Sequence, residues 1–255
     1  MTIEMTHLEV RSGSHAYGFS TPESDVDIRG IKWQGNLSNL LGFSGQIENP
    51  KANQKNESKI DESFHSFKKF VGLLVAHSSF TQLDLLFTRK VDIINIDNWG
   101  QMLIDNRLKF LSKRKILECC RGFARHQYHF VQKNKPEERA KRENTLTLPE
   151  YVKQYRKAQH HSIRTLWQAL VCFKDETWPV YTKDFDIDAH KMLMDIKIGA
   201  MPYQEWEDLF NSYIAKVEAA YVHSKLPEKI ESAYWERTVI DYHLILVDML
   251  KTHPY

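Results

Sequence analysis

The chain has 255 residues, 27% of them charged, and a formal net charge of +2 at pH 7, so it holds one large domain or two modest ones. The near balance of acids and bases means that no broad affinity for nucleic acid follows from the total charge, and a pI near 8.3 leaves such an affinity open. Three cysteines without metal-binding or disulfide spacing, no signal peptide and no membrane-spanning apolar run lead us to expect a cytoplasmic protein without a membrane partner.

The first predicted element is a short strand at His7–Arg11 (HLEVR), where apolar and polar residues alternate. Gly13 and Ser14 then break the strand at a point where a helical turn can begin. Such a turn leaves backbone N–H groups and a small hydroxyl free to face a phosphate. Gly13 and Ser14 are therefore the predicted phosphate-binding residues.

A second predicted strand, Asp25–Trp33, carries two acids two residues apart. Side chains at i and i+2 share a face, so Asp25 and Asp27 point one way while Val26 and Ile28 are expected to point into a core. Two carboxylates on one face can hold a pair of Mg²⁺ or Mn²⁺ ions, which activate a hydroxyl and grip a triphosphate. Surface strands also alternate acids, so the Gly-Ser turn upstream is what favours a nucleotide site.

A third carboxylate is expected from a neighbouring strand. Asp61 is the first candidate because it ends a short extended segment just before a predicted helix at Glu62–Ala76. Asp84 is the rival, since an acid between leucines must be paired or must bind something. Asp61 could instead be the N-cap of the helix, and a site without a third acid is also compatible with the sequence.

The predicted secondary structure changes near residue 100, from a part that contains strands to one that is almost wholly helical. Residues 1–100 contain the strands, including a third at Val91–Ile96, and a polar loop at Glu48–Ser58. We predict a catalytic domain at 1–100 and a helical domain at 101–255 that closes the nucleotide cleft. The predicted helices of the second part are Lys113–Lys133, Leu148–Phe173, Ile187–Ile198, Pro202–His223 and Pro227–Lys251.

One of these helices carries a basic stripe. Lys157, His161 and Arg164 are spaced i, i+4 and i+7, so they lie along one face. Three basic groups in a row can contact nucleotide phosphates or an anionic acceptor, although a solvated basic face has the same spacing. The neighbouring His160 and Arg156 favour phosphate binding.

The Gly-Ser turn, a variable loop and the acid-x-acid strand together resemble the nucleotidyltransferases of the DNA polymerase beta superfamily. Gly13–Gly18 and Ser24–Gly30 (SDVDIRG) look like its predicted RNA-repair-linked branch, of the YcgL or RlaP type, and further matches run along the full length. The resemblance implies an α+β fold, a polymerase-beta-like head with a small mixed sheet and a C-terminal helical bundle. It also implies the following site: Asp25 and Asp27 bind metal, Gly13, Ser14 and the adjoining His15 contact the nucleotide, and Lys157, His161 and Arg164 line the nucleotide cleft.

The expected reaction moves a nucleoside monophosphate from a nucleoside triphosphate, ATP being the expected donor, to a hydroxyl and releases pyrophosphate. It is expected to depend on Mg²⁺ or Mn²⁺, with Asp25, Asp27 and Asp61 as catalytic residues. The acceptor could be an RNA end, a protein or a small molecule. A catalytically silent nucleotide-binding regulator or antitoxin-like partner, and an RNA-binding end-processing module, are the alternatives.

Overall fold

The computed structural model describes residues 3–22, 24–35, 60–76, 80–135 and 148–252. It has the predicted α+β architecture, with one small mixed sheet and many helices. The predicted polar loop at Glu48–Ser58 lies outside the described residues. The strands are β1 (Ile3–Ser12), β2 (Val26–Gly35), β3 (Ile60–His65) and β4 (Ile93–Ile96). The helices are α1 (Gly13–Tyr17), α2 (Phe67–Ala76), α3 (Thr81–Leu86), α4 (Asn98–Asp105), α5 (Lys113–Lys133), α6 (Leu148–Asp175), α7 (Thr182–Phe185), α8 (Ile187–Ile198), α9 (Tyr203–His223) and α10 (Ser232–Thr252), with short 3-10 helices at Lys90–Asp92 and Arg107–Phe110.

The strands form a sheet in the order β3-β2-β1-β4. β1 runs antiparallel to both β2 and β4, whereas β2 and β3 are parallel. The third predicted strand is confirmed only from Ile93, because the three residues before it form a 3-10 turn. Within that turn the guanidinium of Arg89 pairs with the buried carboxylate of Asp92, 2.9 Å away. The ion pair stabilises the turn, so β4 begins later than the alternation of apolar and polar residues predicts.

The buried face of the sheet is the face that carries Asp27. Leu8 and Ile31 are register partners, both are fully buried, and Ile31 lies four residues after Asp27 on the same side of β2. The prediction that Val26 and Ile28 enter the core is wrong, because both are only half-buried at their end of the strand. A period of two residues predicts which side chains share a face, but not which face becomes covered.

The segment predicted as one helix, Glu62–Ala76, is a strand followed by a helix. β3 continues to His65 and pairs with β2, and α2 begins only at Phe67. Between them the hydroxyl of Ser66 accepts a hydrogen bond from the backbone N–H of Lys69, at 3.4 Å. The apolar spacing from Phe64 onwards fits a helix, so periodicity alone hides the change of structure.

The later helices follow the prediction closely. α5 and α8 have the predicted bounds, and the first turn of each is capped by a side chain: Ser112 Oγ accepts from the Lys115 N–H, and Asp186 accepts from two N–H groups. α10 begins at Ser232, five residues after the predicted start at Pro227. None of the helices in the described part of the chain combines the length and the apolar character needed to cross a membrane.

The compact units of the structure differ from the predicted domains. The sheet unit comprises Met1–Phe110 and Ile230–Tyr255, and the helical unit comprises Leu111–Lys229. The predicted boundary at residue 100 falls inside α4, and α10 belongs with the sheet. The chain therefore leaves the sheet unit, forms the helical unit and returns.

A buried histidine explains why α10 belongs with the sheet. His7 on β1 is 1% exposed, and its ring nitrogens lie 2.7 Å from Asp97 Oδ2 and 2.9 Å from the Tyr242 hydroxyl. The ring of Tyr242 also stacks on Phe67, with centroids 4.4 Å apart. These contacts join the first strand, the N-cap of α4 and the last helix, and they span more than two hundred residues of sequence that no local pattern can connect.

Candidate active site

The Gly-Ser turn directly adjoins the Asp27 carboxylate. β1 ends at Ser12, which is the register partner of Asp27, and α1 starts at the next residue. Gly13 has φ +64, a conformation that L side chains rarely adopt, and a Cβ added to it would lie 1.8 Å from Oδ2 of Asp27. Glycine is therefore required both by the turn and by the close approach of the backbone to the carboxylate.

Asp27 and Asp61 stand side by side on neighbouring strands. They are register partners in the parallel pair of β2 and β3, so their side chains project from the same face. Paired strands are about 4.8 Å apart, which is close enough for two carboxylates to share an ion. Because Asp61 lies inside a strand, the alternative that it caps a helix is wrong.

Asp25 lies outside the paired strand residues. It lies just before β2 and is exposed. Among the described residues, no group of three or more His, Cys, Asp or Glu side chains is close enough to hold a metal ion. The oxygen donors of Asp27 and Asp61 are nevertheless of the kind that Mg²⁺ and Mn²⁺ prefer. The structure thus brings together two of the three predicted ligands, and the metal role of all three stays a prediction.

Asp84, the rival third carboxylate, lies on α3 and is 4% exposed. The hydroxyl of Tyr17 donates a hydrogen bond to its Oδ2, with an O–O distance of 2.5 Å. A buried carboxylate needs such a partner, and this one comes from the last residue of α1. Asp84 therefore anchors the helical turn that follows Gly13, and its burial needs no metal to explain it.

His15 lies on the same turn and is half-buried. Its Nε2 atom is buried and has no hydrogen-bond partner among the residues that the structure describes. A buried ring nitrogen without a partner costs free energy unless something bonds to it. A nucleotide bound beside Gly13 would supply such a partner, and the role of His15 in nucleotide binding stays a prediction.

Arg29, for which the sequence predicts no role, shares the sheet face of Asp27. Its guanidinium Nη2 lies 3.9 Å from Asp27 Oδ1, at the outer limit of an ion pair. On β3, His65 occupies the position across from Ile31, one diagonal step from Arg29. Burial lowers the pKa of His65, and the charges of Lys69 and Arg29 lower it further. The position of Arg29 two residues after Asp27 is the signal that could have identified it.

The predicted basic stripe lies on α6 in the helical unit, as expected, but it is not a solvated face. Lys157 is exposed, whereas Arg164 is 3% exposed. Arg164 Nη1 donates to Gln168 Oε1 at 2.9 Å, and Gln168 Nε2 donates to the Pro179 carbonyl at 2.8 Å. Arg164 therefore helps to hold the turn after α6, and Lys157 is the member of the stripe that a solute can reach directly.

His161 has a cationic environment. Burial lowers its pKa to about 3, and the charges of Arg164, Lys157 and Lys197 act in the same direction. The neighbouring His160, which is 6% exposed, also has a strongly lowered pKa, mainly because of burial. Both imidazoles are thus neutral near pH 7, so the stripe has fewer charges than its sequence suggests.

We expect the free energy of unfolding to fall as the pH drops from 6.5, the ordinary pKa of a histidine, towards 3. In that window the unfolded chain binds a proton at His161 that the folded chain does not. The free energy of unfolding therefore falls by about 1.4 kcal/mol for each unit by which the pH falls. His161→Gln should flatten this dependence in urea unfolding from about pH 7.5 to about pH 5.5. His126→Gln changes an exposed histidine on α5 and is the matched control. An unchanged slope in His161→Gln would contradict the expectation.

A small mixed sheet in which a Gly-Ser turn abuts one strand aspartate, with a second strand aspartate beside it, defines a nucleotidyltransferase-like protein of the polymerase beta type. The family model described as the RNA repair pathway DNA polymerase beta family (RlaP) matches residues 5–236. The chain belongs to this family.

The structural comparison found a nucleotidyltransferase-like protein from Exiguobacterium sibiricum 255-15, at 12% sequence identity and a TM-score of 0.33. The match covers 86% of this chain and 69% of the other. A TM-score this low adds no support for a fold or a function. The comparison with curated proteins found no match.

Proposed function

We propose that the protein transfers a nucleoside monophosphate from a nucleoside triphosphate, with ATP as the expected donor, to a hydroxyl acceptor and releases pyrophosphate. The observation that carries this proposal is the arrangement around Asp27, with Gly13 against its carboxylate and Asp61 paired across the strands. The turn that we propose for phosphate binding therefore adjoins two carboxylates, whose oxygens would be the metal ligands. Family membership supports the same class of chemistry.

Asp27 and Asp61, together with Asp25, would hold Mg²⁺ or Mn²⁺. When bound, these ions lower the pKa of the attacking hydroxyl and neutralise charge on the phosphates. The donor set fits them because it consists of carboxylate oxygens, and Asp27 and Asp61 occupy paired positions on one face. Asp25 is exposed just before β2, where it can turn towards Asp27.

The protein's own groups position the reactants. Backbone N–H groups at Gly13 and Ser14 would orient the triphosphate, as such groups do at other turns. The acceptor oxygen then forms a bond to the α-phosphorus, and the bond from that phosphorus to the bridging oxygen of pyrophosphate breaks. The hydroxyl proton passes to a carboxylate or to water, and pyrophosphate leaves on the side of Gly13. Catalysis of this kind comes mainly from positioning and charge neutralisation.

Lys157, His161 and Arg164 remain predicted nucleotide-binding residues of the helical unit. Lys157 is exposed and so accessible to an anion, whereas His161 and the buried Arg164 would act through hydrogen bonds and local charge. Because Arg164 also supports the turn at Pro179, its substitution is expected to affect stability as well as binding.

The proposal is tested by incubating the protein with each α-labelled nucleoside triphosphate and Mg²⁺, offering total RNA, lysate protein or no acceptor. The control is the double variant Asp25→Ala/Asp27→Ala. We expect label to be transferred by the wild type alone, which would identify both the donor and the class of acceptor. Equal labelling by the double variant, or metal-dependent triphosphate binding without transfer to any acceptor, would overturn the proposal and favour a nucleotide-binding regulator.

A further inference from the structure

Basic side chains follow the aspartates on β2 and β3. Arg29 follows Asp27 on the same face of β2, and His65 lies a diagonal step away on β3. Lys69 is exposed on the first turn of α2, four residues after His65, and its charge lowers the pKa of His65. These three residues, Arg29, His65 and Lys69, are called the β3-side cluster here.

The β3-side cluster retains capacity to bind an anion. The 3.9 Å separation of Arg29 Nη2 and Asp27 Oδ1 is too long for a hydrogen bond, so this contact uses none of the guanidinium N–H donors. Guanidinium, imidazole and ammonium groups are the side chains that most often bind phosphate in proteins.

The strand order relates this cluster to the direction of the reaction. Because the sheet runs β3-β2-β1-β4, Gly13 lies on the β1 side of Asp27, whereas Asp61 and His65 lie on the β3 side. In an in-line displacement the attacking and leaving oxygens are on opposite sides of the phosphorus. If pyrophosphate leaves towards Gly13, the acceptor approaches from the β3 side.

We propose that Arg29, His65 and Lys69 form an acceptor subsite that holds a phosphodiester near the hydroxyl end of an RNA strand. This inference rests on the proposed function, because it takes the direction of transfer from it. The positive charges of Arg29 and Lys69 attract a polynucleotide and disfavour a polycation such as an aminoglycoside. The carboxylates do not select an acceptor class, whereas Arg29, His65 and Lys69 beside them favour RNA.

The test measures the binding of a fluorescein-labelled single-stranded RNA of about 12 nucleotides by anisotropy, without nucleoside triphosphate, over a salt series. We expect Lys69→Gln to raise the Kd several-fold and to reduce the magnitude of the log–log salt slope by about 0.7, the loss of one phosphate contact. His65→Gln should raise the Kd with little change in slope. Lys68→Gln removes the adjacent exposed lysine and should leave the slope unchanged. Equal effects of Lys68→Gln and Lys69→Gln would overturn the subsite.

Transfer assays separate this inference from the proposed function. With RNA as acceptor, Lys69→Gln should raise the KM for RNA and leave kcat near the wild-type value. Binding that depends on Lys69 without any transfer would reject the proposed function and support the subsite. Transfer to RNA with a wild-type KM in Lys69→Gln, or transfer to kanamycin or to protein in preference to RNA, would support the function and reject the subsite.

Discussion

Asp27→Ala is expected to abolish nucleotidyl transfer, by at least about three orders of magnitude, while the melting temperature stays within a few degrees of the wild type. The side chain is 25% exposed, and its ion pair with Arg29 is long, so little stability depends on that pair. We expect the rate, in contrast, to depend on this carboxylate, which adjoins Gly13 and is paired with Asp61 across the strands. Transfer of α-labelled nucleotide and thermal unfolding, measured on the same preparation, give the two quantities.

Two matched variants extend this prediction to the third carboxylate. Asp61→Ala should lower the rate about 100-fold or more and leave stability nearly unchanged, because Asp61 shares the face of Asp27 and is only half-buried. Asp84→Asn should cost about 2 kcal/mol of stability, since it weakens the bond from Tyr17, and should retain transfer in the folded fraction. If Asp61→Ala lowered stability and Asp84→Asn abolished transfer, Asp84 would be the third carboxylate and Asp61 the structural one.

The second large effect is expected in the sheet itself. Gly30 is the register partner of Glu9, and a Cβ on Gly30 would lie 1.8 Å from the carbonyl oxygen of Leu8. That oxygen belongs to the backbone of the central strand pair, so it cannot move without disturbing the pairing. We expect Gly30→Ala to lower the free energy of unfolding by about 3 kcal/mol or more, measured by urea unfolding.

Gly72→Ala is the matched control for this substitution. Gly72 lies in the middle of α2, and an added Cβ there would meet nothing within 4 Å. The change should stabilise the protein by about 0.5–1 kcal/mol, because glycine is a poor helix former. If the two variants shifted stability by the same amount, the close approach of β1 to Gly30 would be refuted.

The helices were predicted well because their signals are local. α5 and α8 have an apolar period of 3.6 residues and a capping side chain, Ser112 or Asp186, at the start. β3 was missed because its last apolar residue, Phe64, is in phase with the helix that follows. The return of α10 to the sheet depends on the contact between Tyr242 and His7. The two residues are 235 positions apart in the sequence, so no periodic pattern indicates their contact.

The site was predictable to the extent that it is encoded in one segment. Gly13 and Asp27 come from a single strand-turn-strand unit, whose spacing indicates their proximity. The register that pairs Asp27 with Asp61 is a property of the parallel strands, so the sequence could only offer Asp61 as a candidate. The burial of Arg164 was not predicted, because i, i+4 and i+7 spacing describes a face without saying what covers it.

The discontinuous sheet unit imposes an order on folding during synthesis. The two ends of the helical unit are already joined within it, by hydrogen bonds from the Lys113 N–H to the Pro227 carbonyl at 3.0 Å and from Ser112 Oγ to the Glu228 carbonyl at 2.8 Å. It can therefore close without any contact from α10. The sheet, although translated first, must wait for α10 to bring Tyr242 to His7. On a growing chain, the part that is made in the middle is complete before the part that is made at the beginning.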